Sequence, residues 1–404
     1  MENYKAFGDN LPQCPVDFFT NHPTQASSKE IIMMKNDSNV LVSGASIAGL
    51  SAAYWMNQLG YKVTIVEIAN ELRQGGTAVD LKGATVDVLK RMGIFDQIKA
   101  NRLSLEMREF RNADDVTERS IVFFGEGKER PDDAFEIERD KFISILFDTV
   151  KNDVEFIFDN SITALDETKD DIKVTFKDGS QRTFDLVLGC DGIHSVVRRL
   201  SFGKETEYTH FLGLYFSITT VNKLLIKQNT TQFYSIPGES VMLNAYNNKT
   251  DIILIFVSEK EIPYDYRDEA LQRKIILEQF AGQSWRVAEL LEEVKDSKTF
   301  YFDKLCQIRM PSWTKGRVAL VGDAAYCASP AAGMGGSLAM DGAAALTDAL
   351  QKHNGNYELA FQDYNKKLRP FIEGVQADAI SFALEMVPRT EEAVRKMYSG
   401  TGDF

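Results

Sequence analysis

Gly44, Ser46 and Gly49 stand at the three fixed places of a G-x-G-x-x-G phosphate loop, in the stretch NVLVSGASIAGLSAAYW that begins at Asn39. The chemistry such a loop performs is anion binding. A glycine at 44 permits the tight turn out of a strand. The helix that follows offers unpaired N–H groups and the positive end of its dipole to a pyrophosphate. Ala45, Ile47 and Ala48 complete the backbone of the cradle, and Gly49 lets helix and strand pack closely. Ser46 replaces the usual middle glycine. That place needs only a small residue, and serine adds a hydroxyl donor. Glu67 follows about 23 residues after Gly44, where a carboxylate accepts bonds from a ribose hydroxyl. Taken alone, the loop is also compatible with a strand-to-helix turn that binds nothing.

Two further clusters place an aspartate at the end of an apolar run: FDLVLGCDGIHSVVRR from Phe184, with Asp191 and Gly192, and GRVALVGDAAYCASPAAGMGGSLAMDGAAAL from Gly316, with Asp323. A carboxylate at the C-terminal edge of a parallel strand can accept hydroxyl donors at the crevice where α/β sheets bind ligands. Each also has a plainer reading. Asp191 can cap a turn, Asp323 can be a helix N-cap, and Arg139, in FEIERDKFISIL, can pair with Asp140 or Glu136.

In this order the three clusters resemble the motifs of the class A flavin-dependent monooxygenases, the flavin-dependent aromatic hydroxylases, from Asn39 to about Leu350. The resemblance implies FAD as cofactor, NAD(P)H as co-substrate with NADPH favoured, and O2. It implies that Asp323 bonds the ribityl chain, that Asp191 with Gly192 serves FAD and NAD(P)H, and that Arg139 reaches the FAD. Pro330 and the GMGG run, with Gly333, Gly335 and Gly336, then lie at the flavin, where a helix N-terminus would face the pyrimidine edge. Ile68, Tyr326 and Met334 depart from residues common in that family. RQGGTAVDLKGATVDVLKRMGI, from Arg73, and GDAAYCASPAAGMGGSLAM are similar to segments of its tetracycline-inactivating branch, the tetracycline destructases.

The elements that must position these residues follow from periodicity. Asn39–Ser43 reads as a buried parallel strand, Ala48 to Leu59 as a helix ended by Gly60, and Tyr61 to Glu67 as a second strand. The fold class is α/β: a Rossmann-like FAD-binding domain, an inserted antiparallel β-sheet substrate domain and a C-terminal helical segment. The expected boundaries are 1–33 for a flexible N-terminal extension, with Met33 or Met34 as alternative natural starts; 34–98, 126–205 and 305–345 for the FAD-binding domain; 99–125 and 206–304 for the substrate domain; and 346–404 for C-terminal helices. FLGLYFSITTV, TQFYSI, SVMLNAYN and DIILIFVS read as strands of the inserted sheet. Alternation puts Tyr215 and Ser217 opposite Phe216, and groups Met242, Asn244 and Tyr246. Residues from Tyr357 read as helical with a break at Pro370. They either bridge the two domains or form a dimer surface.

Composition narrows the function. With 404 residues and a formal charge of −13, the chain is a poor ligand for nucleic acid. Cys14, Cys190, Cys306 and Cys327, and His22, His194, His210 and His353, have neither zinc nor disulfide spacing, so no metal is expected and a reducing cytoplasm fits. No apolar run is long enough to cross a bilayer and no signal segment opens the chain, so no membrane partner is expected. No Ser/His/Asp set is visible, and none is needed if the flavin carries the chemistry. The expected reaction is NAD(P)H- and O2-dependent hydroxylation of an electron-rich phenol or enol, with a tetracycline-type antibiotic as the favoured substrate. Small aromatic acids and other polycyclic compounds are the alternatives. The strands from Phe211 to Ser258 contain no arginine to anchor an acid. A flavin reductase or dehydrogenase, and a non-catalytic binding protein on the same fold, are the rival classes. A monomer and a homodimer are both open.

Overall fold

The computed structural model describes residues 38–73, 75–123 and 134–400. The expected N-terminal extension, with Cys14 and His22, lies outside the described residues.

A six-stranded sheet forms the first layer, with Asn39–Ser43 between Lys62–Val66 and Leu186–Gly189, all parallel. Val318–Leu320 extends it beyond Leu186–Gly189, and Glu155–Ile157 beyond Lys62–Val66. The β-branched, apolar runs VLV, VLG and VAL suit strands covered on both faces, and they are buried. Helix Ile47–Gln58 leaves the first strand and packs on helix Gly335–Lys352, both rich in alanine and glycine on the shared side. Small residues let the axes approach. Tyr326 exploits this, because its hydroxyl occupies the space a side chain at Gly342 would need. That hydroxyl accepts from Tyr364 at 3.1 Å, and Trp313 packs edge-on. Tyr326, one of the departures from the family pattern, is therefore a core residue.

The second layer is a seven-stranded sheet in the order Phe300–Ile308, Thr209–Val221, Lys249–Val257, Glu239–Tyr246, Thr230–Ile236, Met107–Arg111, Thr117–Val122. Among the described strands its pairs are antiparallel, except where Met107–Arg111 joins Thr230–Ile236 in parallel. The expected alternation now gains a direction. Tyr215, Tyr234, Leu254 and Phe256 form one core together with residues of helices Glu269–Gln279 and Val287–Asp296. Phe216, Ile218, Ile253, Ile255 and Leu305 face the other way, against Ala331, Ala383 and Val387. Strand Phe300–Ile308 runs across the expected 304/305 domain boundary, and helix Gly335–Lys352 across 345/346.

The expected break at Pro370 does not occur: one helix runs from Tyr357 to Met386 through the proline. A proline inside a helix costs about 3 kcal/mol through a lost N–H and a carbonyl clash. Here its ring lies on the exposed side, while Leu368, Phe371, Ile372 and Val375 are buried. Polar ties hold both flanks. Arg369 donates to the carbonyls of Met310 and Pro311, and Gln376 donates to those of Ile308 and Cys327. The helix joins the core around the parallel sheet, through Phe371 and Val375, to the inner face of the seven-stranded sheet, through Ala383. Among the described residues, no helix is long and apolar enough to cross a membrane, and no cluster of His, Cys, Asp or Glu could hold a metal ion.

Candidate cofactor-binding site

The first loop is fixed by sterics. Gly44 has φ 103°, and a Cβ there would lie 2.6 Å from the Cys190 carbonyl oxygen. A Cβ on Gly49 would lie 1.8 Å from the carbonyl oxygen of Gly44. Both glycines are therefore required by the backbone, whatever the loop binds. Ser46 is the N-cap of helix Ile47–Gln58 but does not cap it, and no acid sits in the first turn. The N-terminal N–H groups of this twelve-residue helix thus have neither a side-chain cap nor a compensating charge. The Ser46 hydroxyl instead accepts from Arg139 Nη2 at 3.1 Å.

Arg139 opens helix Arg139–Asp148 and reaches back across the loop, donating to the carbonyls of Gly75 at 2.8 Å and Arg73 at 3.3 Å. Asp140 turns away to accept from Gly75 N–H at 2.9 Å. Arg139 therefore serves the loops rather than the surface pair that its neighbours suggested. Burial, and then the charge of Arg73, pull its pKa below the usual arginine value. Glu67 accepts the backbone N–H groups of Ala45 at 2.7 Å and Ala69 at 2.9 Å. A carboxylate has lone pairs to spare beyond these two bonds.

Asp191 behaves as the turn-capping reading expected. It accepts the Ser195 hydroxyl and the N–H groups of Val196 at 2.8 Å and Val197 at 3.1 Å, and so backs the start of helix Val196–Ser201, whose N-cap Ser195 accepts from Arg198 N–H at 2.9 Å. Burial raises its carboxyl, and these bonds pull the other way. Asp323 is not an N-cap: Gly322, at φ 67°, holds that place and Asp323 is the first residue of the short helix Asp323–Tyr326. Asp323 is open to solvent, yet enough protein surrounds it for desolvation to raise its carboxyl. Gly322 before it lies against both long helices, a Cβ there falling 3.1 Å from Ala48 and 3.5 Å from Ala339, so Asp323 opens on a cleft beside their first turns.

The GMGG run forms a second bare helix start. Pro330 opens a single 3-10 turn that ends at Gly333, φ 59°, and Met334 is the uncapped N-cap of Gly335–Lys352, with no acid in its first turn. Gly333 and Gly335 are exposed. A Cβ on Gly336 would strike Val79 at 2.2 Å and come within 3.7 Å of the Ile47 side chain. The two uncapped helix starts therefore meet in one place.

The sequence reading missed a set of carboxylates on the sheet side of this cleft. Asp80 and Glu136 face each other across the strand pair Val79–Lys82 and Ala134–Ile137. Burial raises both, and their mutual repulsion adds to the rise at Glu136, while the Arg108 charge opposes it at each. Both carboxyls are thus shifted towards the neutral form. Asp251, pushed up to about 6 mainly by burial, accepts hydroxyls from Thr220 at 2.7 Å and Tyr246 at 2.8 Å. No local sequence signal links these residues, because their strands come together only in the fold.

The site fits a dinucleotide such as FAD by its donor set: two bare helix N-termini for anionic groups, and Glu67 and Asp323 for hydroxyls. Comparison with known proteins agrees. Residues 37–377 match the family described as FAD binding domain. The chain is 38% identical over 341 residues to an uncharacterized protein of Mycobacterium tuberculosis, covering 83% of this chain and 90% of that protein. It is 35% identical over 347 residues to a flavin-dependent monooxygenase of Legionella longbeachae serogroup 1, covering 85% and 88% respectively. The crystal structure of tetracycline destructase Tet(51) superposes with a TM-score of 0.81 at 33% identity, covering 90% of this chain and 95% of that one.

Proposed function

The chain belongs to the FAD binding domain family and, within it, to the flavin-dependent monooxygenases, and on that premise we propose that it uses NADPH and O2 to oxygenate a polycyclic phenol or enol of the tetracycline type. The observation that carries the cofactor reading is the meeting of two uncapped helix starts above Asp323. Bound FAD supplies hydride acceptance and oxygen activation. The chain's part is to bind, orient and exclude water. The loop Gly44 to Gly49 holds the pyrophosphate through its N–H groups, with the Ser46 hydroxyl and Arg139 beside it. Glu67 accepts an adenosine ribose hydroxyl and Asp323 the ribityl hydroxyls. Asp191 acts by fixing the turn against Gly44. Pro330, Gly333, Gly335 and Gly336 bring the second helix start to the pyrimidine edge, where its dipole favours the negative charge of the reduced ring.

The substrate reading rests on the inner face of the seven-stranded sheet. Met242, Asn244 and Tyr246 lie there with Phe216 and Asp251, apolar surface with a few hydrogen-bonding tips. The argument from missing arginines needs amendment. Strand Met107–Arg111 brings Arg108 opposite Thr231 in the same sheet. Its charge acts on Asp80 and Glu136, and the Lys82 charge acts on Asp80 as well. With cations and carboxylates both present, the face offers no lone arginine free to anchor a small aromatic acid, and its apolar area suits a larger ligand. The similarity to Tet(51) supports the same choice.

The test is direct. Purified protein should be yellow and release FAD on acid precipitation; a colourless chain that cannot be reconstituted ends the flavin reading. Incubation with NADPH, O2 and tetracycline should consume the tetracycline chromophore and yield a product heavier by one oxygen. If tetracycline is inert while hydroxybenzoate stimulates NADPH oxidation and gains an oxygen, the substrate reading fails and the monooxygenase reading stands.

A further inference from the structure

His194 follows the Asp191-Gly192 turn and reaches from the parallel sheet to the edge strand of the seven-stranded sheet. Both of its ring nitrogens face carboxylates: Nδ1 lies 3.0 Å from Glu205 Oε1 and Nε2 lies 3.1 Å from Asp303 Oδ2. Asp303 is 2% exposed. Its Oδ2 also accepts the Tyr301 hydroxyl at 3.1 Å, and its Oδ1 accepts the Tyr264 hydroxyl at 2.7 Å. Tyr301 packs against Phe216 on the inner face, with centroids 5.6 Å apart, and the Arg73 guanidinium lies 5.8 Å from its ring. Asp323 is near enough for its charge to act on the phenol. At the other end Glu205 is partly exposed.

We infer that Tyr301, Asp303, His194 and Glu205 form a proton path between the cofactor cleft and solvent. Each member can pass a proton on. A phenol and an imidazole both donate and accept, and a carboxylate accepts from two sides. A simple tie between the two sheets would need one bond, not an unbroken series that ends at Glu205 near the surface. The remaining neighbours hold the ring in place and keep Glu205 ionised. Tyr266 stacks on it with centroids 4.0 Å apart. Arg198 lies 3.5 Å from Glu205, and Lys304, paired with Glu261, acts on Glu205 as well. Burial pulls His194 down, but its bonds to Asp303 and Glu205 and their charges raise it to about 9.

The inference rests on the monooxygenase reading, whose balance requires such a path. Substrate S–H, O2, NADPH and one proton give S–OH, NADP+ and water. Without substrate, NADPH, O2 and one proton give NADP+ and H2O2. Either way one proton per turnover must reach the reacting centre. It enters at Glu205, crosses the imidazole from Nδ1 to Nε2, and moves on through Asp303 to Tyr301 as the phenol gives its own proton to the cleft. Burial and the Asp303 charge hold the phenol up and the His194 bond holds Asp303 down, so the last transfers are concerted and leave neither a free phenolate nor a protonated Asp303.

Two measurements test the path. Histidine NMR of the FAD-free wild-type protein, assigned with His194→Gln, should show His194 protonated up to about pH 9. Asp303→Asn should bring that titration back towards roughly 6.5. In FAD-loaded protein, His194→Gln and Tyr301→Phe should each slow NADPH oxidation by about a hundredfold at equal FAD content. Because H2O2 formation consumes the same proton, the assay needs no substrate. Added imidazole should restore His194→Ala but not Tyr301→Phe. An ordinary His194 titration overturns the path, as do FAD-replete variants that turn over at the wild-type rate from pH 6 to 10. A wild-type chain that takes up no FAD overturns the functional reading instead, and the NMR result separates the two failures.

Discussion

Gly49 sits so close beneath Gly44 that a methyl group on it would lie 1.8 Å from the Gly44 carbonyl oxygen. No side-chain rearrangement relieves such a clash, because the obstacle is backbone. Gly49→Ala should therefore push the first helix away from its strand, at a cost of about 1–3 kcal/mol or more for overpacking. We expect a lowered Tm and loss of bound FAD together. A variant that keeps both would show that the loop is looser than its packing indicates.

Glu67 and Asp323 should separate in their effects. Loss of a hydrogen-bonded charged partner typically costs about 1.5–3 kcal/mol, or roughly ten- to a hundredfold in affinity. Both Glu67→Ala and Asp323→Ala should weaken FAD binding by that factor. Glu67 also holds the N–H groups of Ala45 and Ala69, so its loss should lower the Tm of the FAD-free protein as well. Titrating apo-protein with FAD, alongside melts without it, reads both quantities. Unchanged affinity in both variants would refute these roles.

Asp341 gives a pH signature. It lies 1% exposed in helix Gly335–Lys352, accepting the Thr85 hydroxyl at 2.9 Å, and burial raises it from near 4 to about 8. A carboxyl raised in the folded state contributes stability below its unfolded value, and that contribution is lost as pH rises through the folded one. The protein should therefore lose stability from pH 4 to 8 on this account. Asp341→Asn should flatten the dependence and raise Tm at pH 8. A wild-type-like slope in the variant would remove Asp341 as the cause.

His194 acts with the same sign in a later window. Its folded value of about 9 lies above the ordinary 6.5, so its stabilisation is complete below pH 6.5 and vanishes as pH rises through 9. Wild-type Tm should fall between pH 6.5 and 10. His194→Gln should melt lower at pH 6 and converge with wild type at pH 10. Parallel curves for the two proteins would contradict the assignment.

Much of the parallel layer was legible because its signals are local. The apolar run Asn39–Ser43 is the strand it reads as, and the helix after it stops before Gly60, whose φ is 90°. Motif spacing singled out Glu67 and Arg139, whose side chains bond the backbone and Ser46 around the first loop, and Asp323, which opens its own short helix; their partners could not be read. Asp191 shows the limit of this reading: the same dipeptide serves as a cap and as a family motif, and the bonds it makes are those of a cap. Pro370 misled because propensity is local, whereas the burial that overrides it comes from elements far away in sequence. Asp80 with Glu136, and His194 with Asp303, were invisible for a related reason. Each pair exists only through long-range pairing, 109 residues apart for the second.

The last turns of the long helix and the helix Glu391–Ser399 bear on how such a protein diversifies. Val387 helps to cover the inner face of the seven-stranded sheet, and Met397 and Tyr398 pack on Phe110 and Phe233 of the same face, towards its other edge. The Tyr398 hydroxyl ties two strands of that sheet, accepting from Ser235 N–H and donating to the Arg111 carbonyl. All three residues lie beyond position 377, where the match to the FAD binding domain family stops. The wall beside the proposed substrate face and the glycine loops proposed to cradle the cofactor are thus written in separate stretches of the gene. Substitutions in the former can reshape which molecule is accepted while the latter, with its unforgiving glycines, stays untouched.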